Sequence, residues 1–141
     1  MRKMINEFRG EFHFLSNFYR LSNGITIEHL FQAEKTTSLI WKFKILTAMN
    51  PTEARRLGRK APIKKNWKKK RILIMNKLVY CKFSFDSYLK EALLKTENAI
   101  LIEGNYWHDN FWGDCYCKRC EDIPGKNNLG KIHMRVREKI K

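Results

Sequence analysis

The chain has 141 residues, 43% of them hydrophobic and 13% aromatic, with a formal net charge of +15 at pH 7. That is the size of one domain with enough apolar mass to bury a core, which argues against a disordered chain. No apolar run approaches the roughly 20 residues of a membrane span, and Met1 to Arg9 lacks the apolar centre of a secretory leader; the expectation is a cytoplasmic protein with no membrane role, whose charge favours anionic partners.

Phe8, Phe12, Phe14 and Phe18 fall at even positions, which predicts a short strand over Glu11 to Leu15, broken by Ser16 and Asn17. Asn23 and Gly24 make a hairpin-type turn before the β-branched run Ile25 to Ile27, so a small sheet is expected to deliver the chain to Glu28. The next stretch, Glu28 to Lys35, reads EHLFQAEK. At about 100° per residue a helix here places Glu28, Phe31, Gln32, Lys35 and Leu39 on one face, with Leu30, Ala33, Thr37, Ile40 and Trp41 opposite. A surface helix has one apolar stripe and one wet face. Here apolar residues flank the polar set, which predicts an enclosed cleft lined by it, against the plainer reading of solvated charges on an ordinary helix.

Asn50, Pro51 and Glu53 supply the N-cap, first-turn proline and third-position acid of a helix over Pro51 to Leu57, with Gly58 placed to end it. From Arg55 to Arg71 there are ten Lys or Arg residues and no acid, with Trp67 among them. That run is either a solvated face or an anion-binding surface, and Trp67 either stacks on a base or anchors the following helix. Helices are predicted over Trp67 to Tyr80, over Ser84 to Lys95 with Leu89, Leu93 and Leu94 inward, and over Asn128 to Ile140. The last carries an apolar stripe of Leu129, Ile132, Val136 and Ile140. Ala99 to Ile102 reads as a strand delivering Glu103 and Gly104. With no repeat, linker or low-complexity segment, the expected architecture is one mainly helical (α+β) domain over residues 1–141 with a small β-sheet.

Glu103 to Gly130 lacks either periodicity and reads as a long loop held by its own side chains. Trp107 and Trp112 are candidate walls, and Asp109 is an acid, a base or a cap. Gly125 to Gly130, GKNNLG, resembles a backbone cradle for an anion at a helix N-terminus. Cys115, Cys117 and Cys120 have C-x-C-x-x-C spacing, compact enough for three thiolates on one metal ion. A closed structural zinc site needs a fourth ligand, from His108, Cys81 or His133; the alternative is reduced cysteines packed in a loop.

FLSNFY at Phe14 to Tyr19, EHLFQAEK, Gly58-Arg59, Trp67, Trp112-Gly113, G-x-N-x-L-G at Gly125 to Gly130 and the following HMRVR together resemble the NADAR family, also called YbiA-like or DUF1768. The likeness runs in order through nearly the whole chain; His133 departs from it, standing where an aliphatic residue is expected before the Met. The resemblance implies a compact, mostly helical YbiA-like fold. It further implies N-glycosidase chemistry on phosphoribosylamine intermediates of riboflavin synthesis or on ADP-ribosylated guanine in nucleic acid, with no cofactor required. Glu28, Lys35 and Asp109 would be catalytic. Asn17, Phe18, His29, Gln32, Gly58 and Arg59 would bind substrate, as would Trp67, Trp112, Gly113, Gly125, Asn127 and Leu129. The expected partners are an ADP-ribose- or ribose-phosphate-containing substrate and nucleic acid, with a non-catalytic ADP-ribose or nucleic-acid binding module as the competing reading.

Overall fold

The computed structural model describes residues 1–141. In chain order its elements are β1 (Met4–Ile5), a 3-10 helix (Gly10–Leu15), α1 (Ile27–Glu34), α2 (Leu39–Leu46), α3 (Pro51–Lys60), α4 (Trp67–Ser84), α5 (Ser87–Leu94), β2 (Ile100–Leu101), β3 (Gly104–Asn105), β4 (Asp114–Cys115), a second 3-10 turn (Lys118–Cys120) and α6 (Asn128–Lys139). Residues fall into two compact units, Asn17–Leu78 and Met1–Ser16 with Val79–Lys141. The mainly helical class with minor sheet is as expected.

In the Asn17–Leu78 unit, α1, α2 and α3 pack on one another around Ala33, Ile45, Ala54 and Ala61, with Trp41, Leu46, Ala48 and Leu57 closing over them. Three of those four central residues are alanines, so the helices approach closely. The helix containing Glu28 does not continue to Trp41. Lys35 is its C-cap, and the Ser38 hydroxyl caps α2 by accepting the Trp41 N–H at 3.4 Å. Leu39 and Ile40 therefore belong to α2 and are exposed. The small sheet expected before Glu28 reduces to a single antiparallel bridge, Arg20 to Thr26, because Thr26 is already the cap of α1 and Ile27 its first residue. α3 runs through Gly58 to Lys60, so Gly58 is a packing residue and not a stop.

In the other unit the strand expected over Glu11 to Leu15 is instead the 3-10 helix. Gly10, at φ 57, turns the chain, and the N–H groups of Phe12 and Ser16 close back on the carbonyls of Arg9 and His13 at 2.9 Å. Alternating phenylalanines do not require a strand: in a three-residue turn Phe12 and Leu15 share one side, and Phe14 meets the Phe83 ring edge-on at 6.4 Å. The sheet content is two parallel pairs, β1 with β2 in the register Met4 to Ile100, and β3 with β4 in the register Gly104 to Asp114. α4 extends past Tyr80 to Ser84, and α5 starts under an Asp86 cap whose Oδ1 accepts the Leu89 N–H at 3.1 Å. α6 buries Leu129, Ile132, Val136 and Ile140 and packs on β2, as its spacing predicts. No helix is long and apolar enough to cross a membrane.

Candidate active site

α1 is started by a reciprocal cap. Thr26 Oγ1 accepts the His29 N–H at 3.2 Å, while His29 Nδ1 accepts from the Thr26 N–H at 3.3 Å and faces Thr26 Oγ1 at 2.8 Å. His29 Nε2 donates to the Ala48 carbonyl at 3.0 Å. Both ring nitrogens of this fully buried side chain are thus used within the protein, so His29 holds the helix start and has no nitrogen for a substrate.

That cap sets the aim of Glu28. Its N–H donates to the Asn17 carbonyl at 3.1 Å, and its side chain is almost wholly buried. Oε1 accepts from Gln32 Nε2 at 2.7 Å, one turn along, and from Arg55 Nε at 3.0 Å. The Arg55 guanidinium lies 4.8 Å from the centre of the Phe18 ring, so Phe18 supports the cation that orients Glu28. Two buried acceptors here have no hydrogen-bond partner, Gln32 Oε1 and Asn17 Oδ1; the Asn17 amide donates only a weak contact, 3.5 Å, to the Met75 sulfur. Leaving such a group dry costs about 1–3 kcal/mol. Gly58 is required beside them, because a Cβ there would collide with Gln32 Oε1.

Lys35 caps the other end of α1. Burial lowers its pKa from the ordinary lysine value, and the charges of Arg59, Arg55 and Arg71 lower it further, against the opposing pull of Glu28. More of it is therefore the neutral, nucleophilic amine near pH 7 than for a surface lysine. Arg59 is exposed on α3. Trp67 is 7% exposed, with its ring 5.1 Å from Phe31 and the Lys64 ammonium 5.8 Å away; it anchors α4 and is not an open stacking platform.

Asp109, in the other unit, holds a turn. Its Oδ1 accepts the Phe111 and Trp112 N–H groups at 3.1 and 2.9 Å. The turn is tied down by Asn105, a buried residue that sequence reasoning passed over: its Oδ1 accepts from the Trp107 and Asp109 N–H groups, and its Nδ2 donates to the Asp109 carbonyl at 2.7 Å. The GKNNLG segment is not an anion cradle, because its amides are taken. Those of Lys126, Asn127, Asn128 and Leu129 donate to the carbonyls of Asn110, Gly113, Phe111 and Trp112, and that of Gly125 to Asp114 Oδ1. Asn127, at φ 49, accepts the Glu103 N–H and donates to the Leu101 carbonyl, locking α6 to the strands. Leu129 is fully buried core, and a Cβ at Gly113 or Gly125 would meet neighbouring backbone. Trp112 packs edge-on against Phe111 at 4.8 Å.

The same loop gathers four metal-ligand side chains. One ligand atom from each of His108, Cys115, Cys117 and Cys120 lies within 4.8 Å of all the others. Of the three candidates for a fourth ligand, only His108 joins the cysteines. Cys81 is exposed on α4, and His133 is buried between the Phe8 and Phe83 rings with Nδ1 on the Leu129 carbonyl. Burial raises the Cys120 thiol to about 11; for Cys115 burial acts the same way but is outweighed by hydrogen bonds from Cys117, Cys120 and the His108 amide, which lower it.

Residues 7–141 match the NADAR domain. The chain belongs to the NADAR family. It is 34% identical over 117 residues to the N-glycosidase YbiA of Escherichia coli, covering 82% of this chain and 69% of that one. The N-glycosidase Npun_R5314 of Nostoc punctiforme is 36% identical over 121 residues, 82% of this chain and 74% of the relative. A riboflavin biosynthesis protein of Vibrio vulnificus, VVA0006, is 34% identical over 135 residues, 90% of this chain but only 35% of that longer protein. The solution structure of Escherichia coli YbiA superimposes with a TM-score of 0.81 at 31% identity, covering 99% of this chain and 86% of that one. The NADAR resemblance read from the motifs and the YbiA-like fold it implied are therefore both correct.

Proposed function

We propose that this NADAR chain hydrolyses the ribose C1′–N bond of an ADP-ribosylated base, with guanine in nucleic acid as the principal target. The broader class rests on the family and on relatives named N-glycosidases at 34% and 36% identity: the chain is an enzyme, a hydrolase of N-glycosidic bonds. The observation that carries the reading is the α1 pair, a buried Glu28 carboxylate aimed by Gln32 and Arg55 with a pKa-lowered Lys35 on the same helix. Breaking the C1′–N bond builds positive charge on the sugar, which a fixed carboxylate stabilises. Neutral Lys35 adds its lone pair to C1′ of the ring-opened imine, the base nitrogen takes a proton and departs, and water then hydrolyses the lysine imine to the free aldose. Ribose hydroxyls are suited to donate to Gln32 Oε1 and Asn17 Oδ1.

The choice of a nucleic-acid carrier rests on the net charge of +15 and the ten cations from Arg55 to Arg71, of which Arg59 is exposed and suited to phosphate. The reaction needs no cofactor, and a cytoplasmic setting suits four free cysteines. A second reading, hydrolysis of a phosphoribosylamino-pyrimidine, draws on the riboflavin-named Vibrio vulnificus relative. A pure binding module has no use for a buried, oriented carboxylate beside a nucleophilic lysine. The test is incubation of the protein with ADP-ribosylated guanine DNA and, separately, with a phosphoribosylamino-pyrimidine. Release of ADP-ribose with restored guanine supports the first reading, release of ribose phosphate alone supports the second, and release from neither leaves a binding module.

A further inference from the structure

We infer that His108, Cys115, Cys117 and Cys120 form a closed, four-coordinate zinc site that fixes the loop between β3 and β4. Three observations converge. First, a tetrahedral zinc ion with Zn–S bonds of about 2.3 Å holds its ligand atoms roughly 3.8 Å apart. The protein already has His108 Nδ1 at 3.3 Å from Cys117 Sγ and 3.4 Å from Cys120 Sγ, with all four ligand atoms within 4.8 Å, so loading changes the ligand separations by about 1 Å or less. Second, the backbone is bent to this purpose. His108 adopts φ 71, a left-handed conformation uncommon for a residue with a side chain, and its N–H donates to Cys115 Sγ at 3.3 Å, the kind of amide that stabilises a bound thiolate. Third, burial is graded as a structural site requires: Cys115 and Cys120 are buried, Cys117 half-buried, and the exposed His108 closes the outer side.

Three thiolates and an imidazole on one small tetrahedron select zinc over the oxygen-seeking cations, and four protein ligands leave no open position for bound water, so the ion is structural and not a Lewis acid. Arg119 has to turn, because its guanidinium stands 3.3 Å from His108 Nε2, which carries the proton once Nδ1 binds metal; both side chains are exposed, so this is cheap. The bridge from His108 to Cys115 encloses Asp109, Phe111 and Trp112. Zinc therefore sets the loop that presents them, cooperating with Asn105 and the GKNNLG lock.

The inference does not rest on the glycosidase reading, since its test needs no substrate. Protein purified under reducing conditions, without chelator, is analysed for total metal. It is then stripped, and reloaded with zinc or with cobalt(II) as a spectroscopic probe. The expected results are about one zinc per chain, a thiolate-to-cobalt charge-transfer band with intense tetrahedral visible bands, and a melting temperature that falls on stripping and returns with zinc. Amide exchange on stripping should quicken within residues 104–130 and stay unchanged in α1 to α3. His108→Ala should keep three thiolates, fold, and lose at least roughly tenfold in zinc affinity, as removal of a ligand requires. Purified and reloaded protein that holds no zinc against a micromolar chelator would overturn the inference. So would equal zinc content in a Cys115→Ser/Cys117→Ser/Cys120→Ser chain, which would mark the metal as adventitious.

Discussion

Arg55 Nε stands 3.0 Å from Glu28 Oε1 in a pair of unequal burial: the arginine side chain keeps 37% of its surface in solvent and the carboxylate 5%. The exposed partner bears little desolvation cost, and its hydrogen bond together with that of Gln32 aims the carboxylate before any substrate arrives. Glu28→Gln keeps the shape and the amide contact from Gln32 but removes the charge. Turnover should fall at least about a hundredfold, with substrate binding and secondary structure retained. Initial rates alongside a ligand-binding titration check this, and near-normal turnover removes Glu28 from the chemistry.

Gly58 offers a test of the packing that supports this carboxylate. A glycine inside a helix is ordinarily improved by alanine, by up to about 1 kcal/mol. Here the added Cβ meets Gln32 Oε1, with the Gln32 side-chain carbon behind it, so Gln32 must leave its hydrogen bond to Glu28. Gly58→Ala should therefore be destabilising by about 1–3 kcal/mol, read as a lower urea midpoint at unchanged m-value, and should slow turnover as well. A stabilised, fully active variant would mean that the Gln32 amide is free to move without consequence.

How far the sequence reveals these contacts depends on whether they are local. The α1 face carrying Glu28, Gln32 and Lys35 and the apolar stripe of α6 repeat at helical spacing, and each is where the spacing puts it, whereas Thr26, read as part of a β-branched strand run, is the cap of α1. The Arg55 partner of Glu28 is invisible, because it comes from a different helix and no spacing links the two. The phenylalanine alternation before Leu15 and the Gly-Asn loop at Gly125 each fit two backbones. The first was decided by the turn at Gly10, the second by carbonyls of Asn110 to Gly113 that claim its amides. The cysteine spacing fixes three ligands but says nothing of the fourth, which depends on a left-handed backbone at His108.

His133, the departure from the family pattern, should make the fold acid-sensitive. Burial pushes its pKa down to about 3 from 6.5, helped by the nearby Lys82 and Arg137 charges and opposed by the carbonyls of Leu129 and Leu15. The unfolded chain takes up this proton near pH 6.5 while the folded one resists it until about pH 3. Stability from this residue is thus complete above pH 6.5 and is lost as pH falls through that window, by a few kcal/mol at most on the scale of about 1.4 kcal/mol per pH unit. His133→Leu replaces a fully buried ring with an apolar side chain of similar size. The variant's advantage in melting temperature should grow from pH 7 to pH 4; a difference independent of pH would place the effect in packing alone.

Lys35 separates a covalent route from direct attack by water. Its lowered pKa predicts that kcat rises with pH along a limb below the ordinary lysine range, as the amine loses its proton. Removing a neighbouring cation that depresses it, as in Arg59→Gln, should move that limb to higher pH even if substrate affinity also suffers. If the amine enters the open-chain imine, borohydride added during turnover should leave a ribosyl adduct on Lys35, read as added mass on its peptide. Surface lysines also react with released aldose, so the adduct must form faster than with free ADP-ribose and must vanish in Lys35→Arg, which keeps the charge but cannot make the imine. Water attacking an oxocarbenium ion leaves nothing to trap. Full activity in Lys35→Arg, with no pH limb displaced by Arg59→Gln, would exclude the covalent route and leave Lys35 as a ligand for phosphate or sugar.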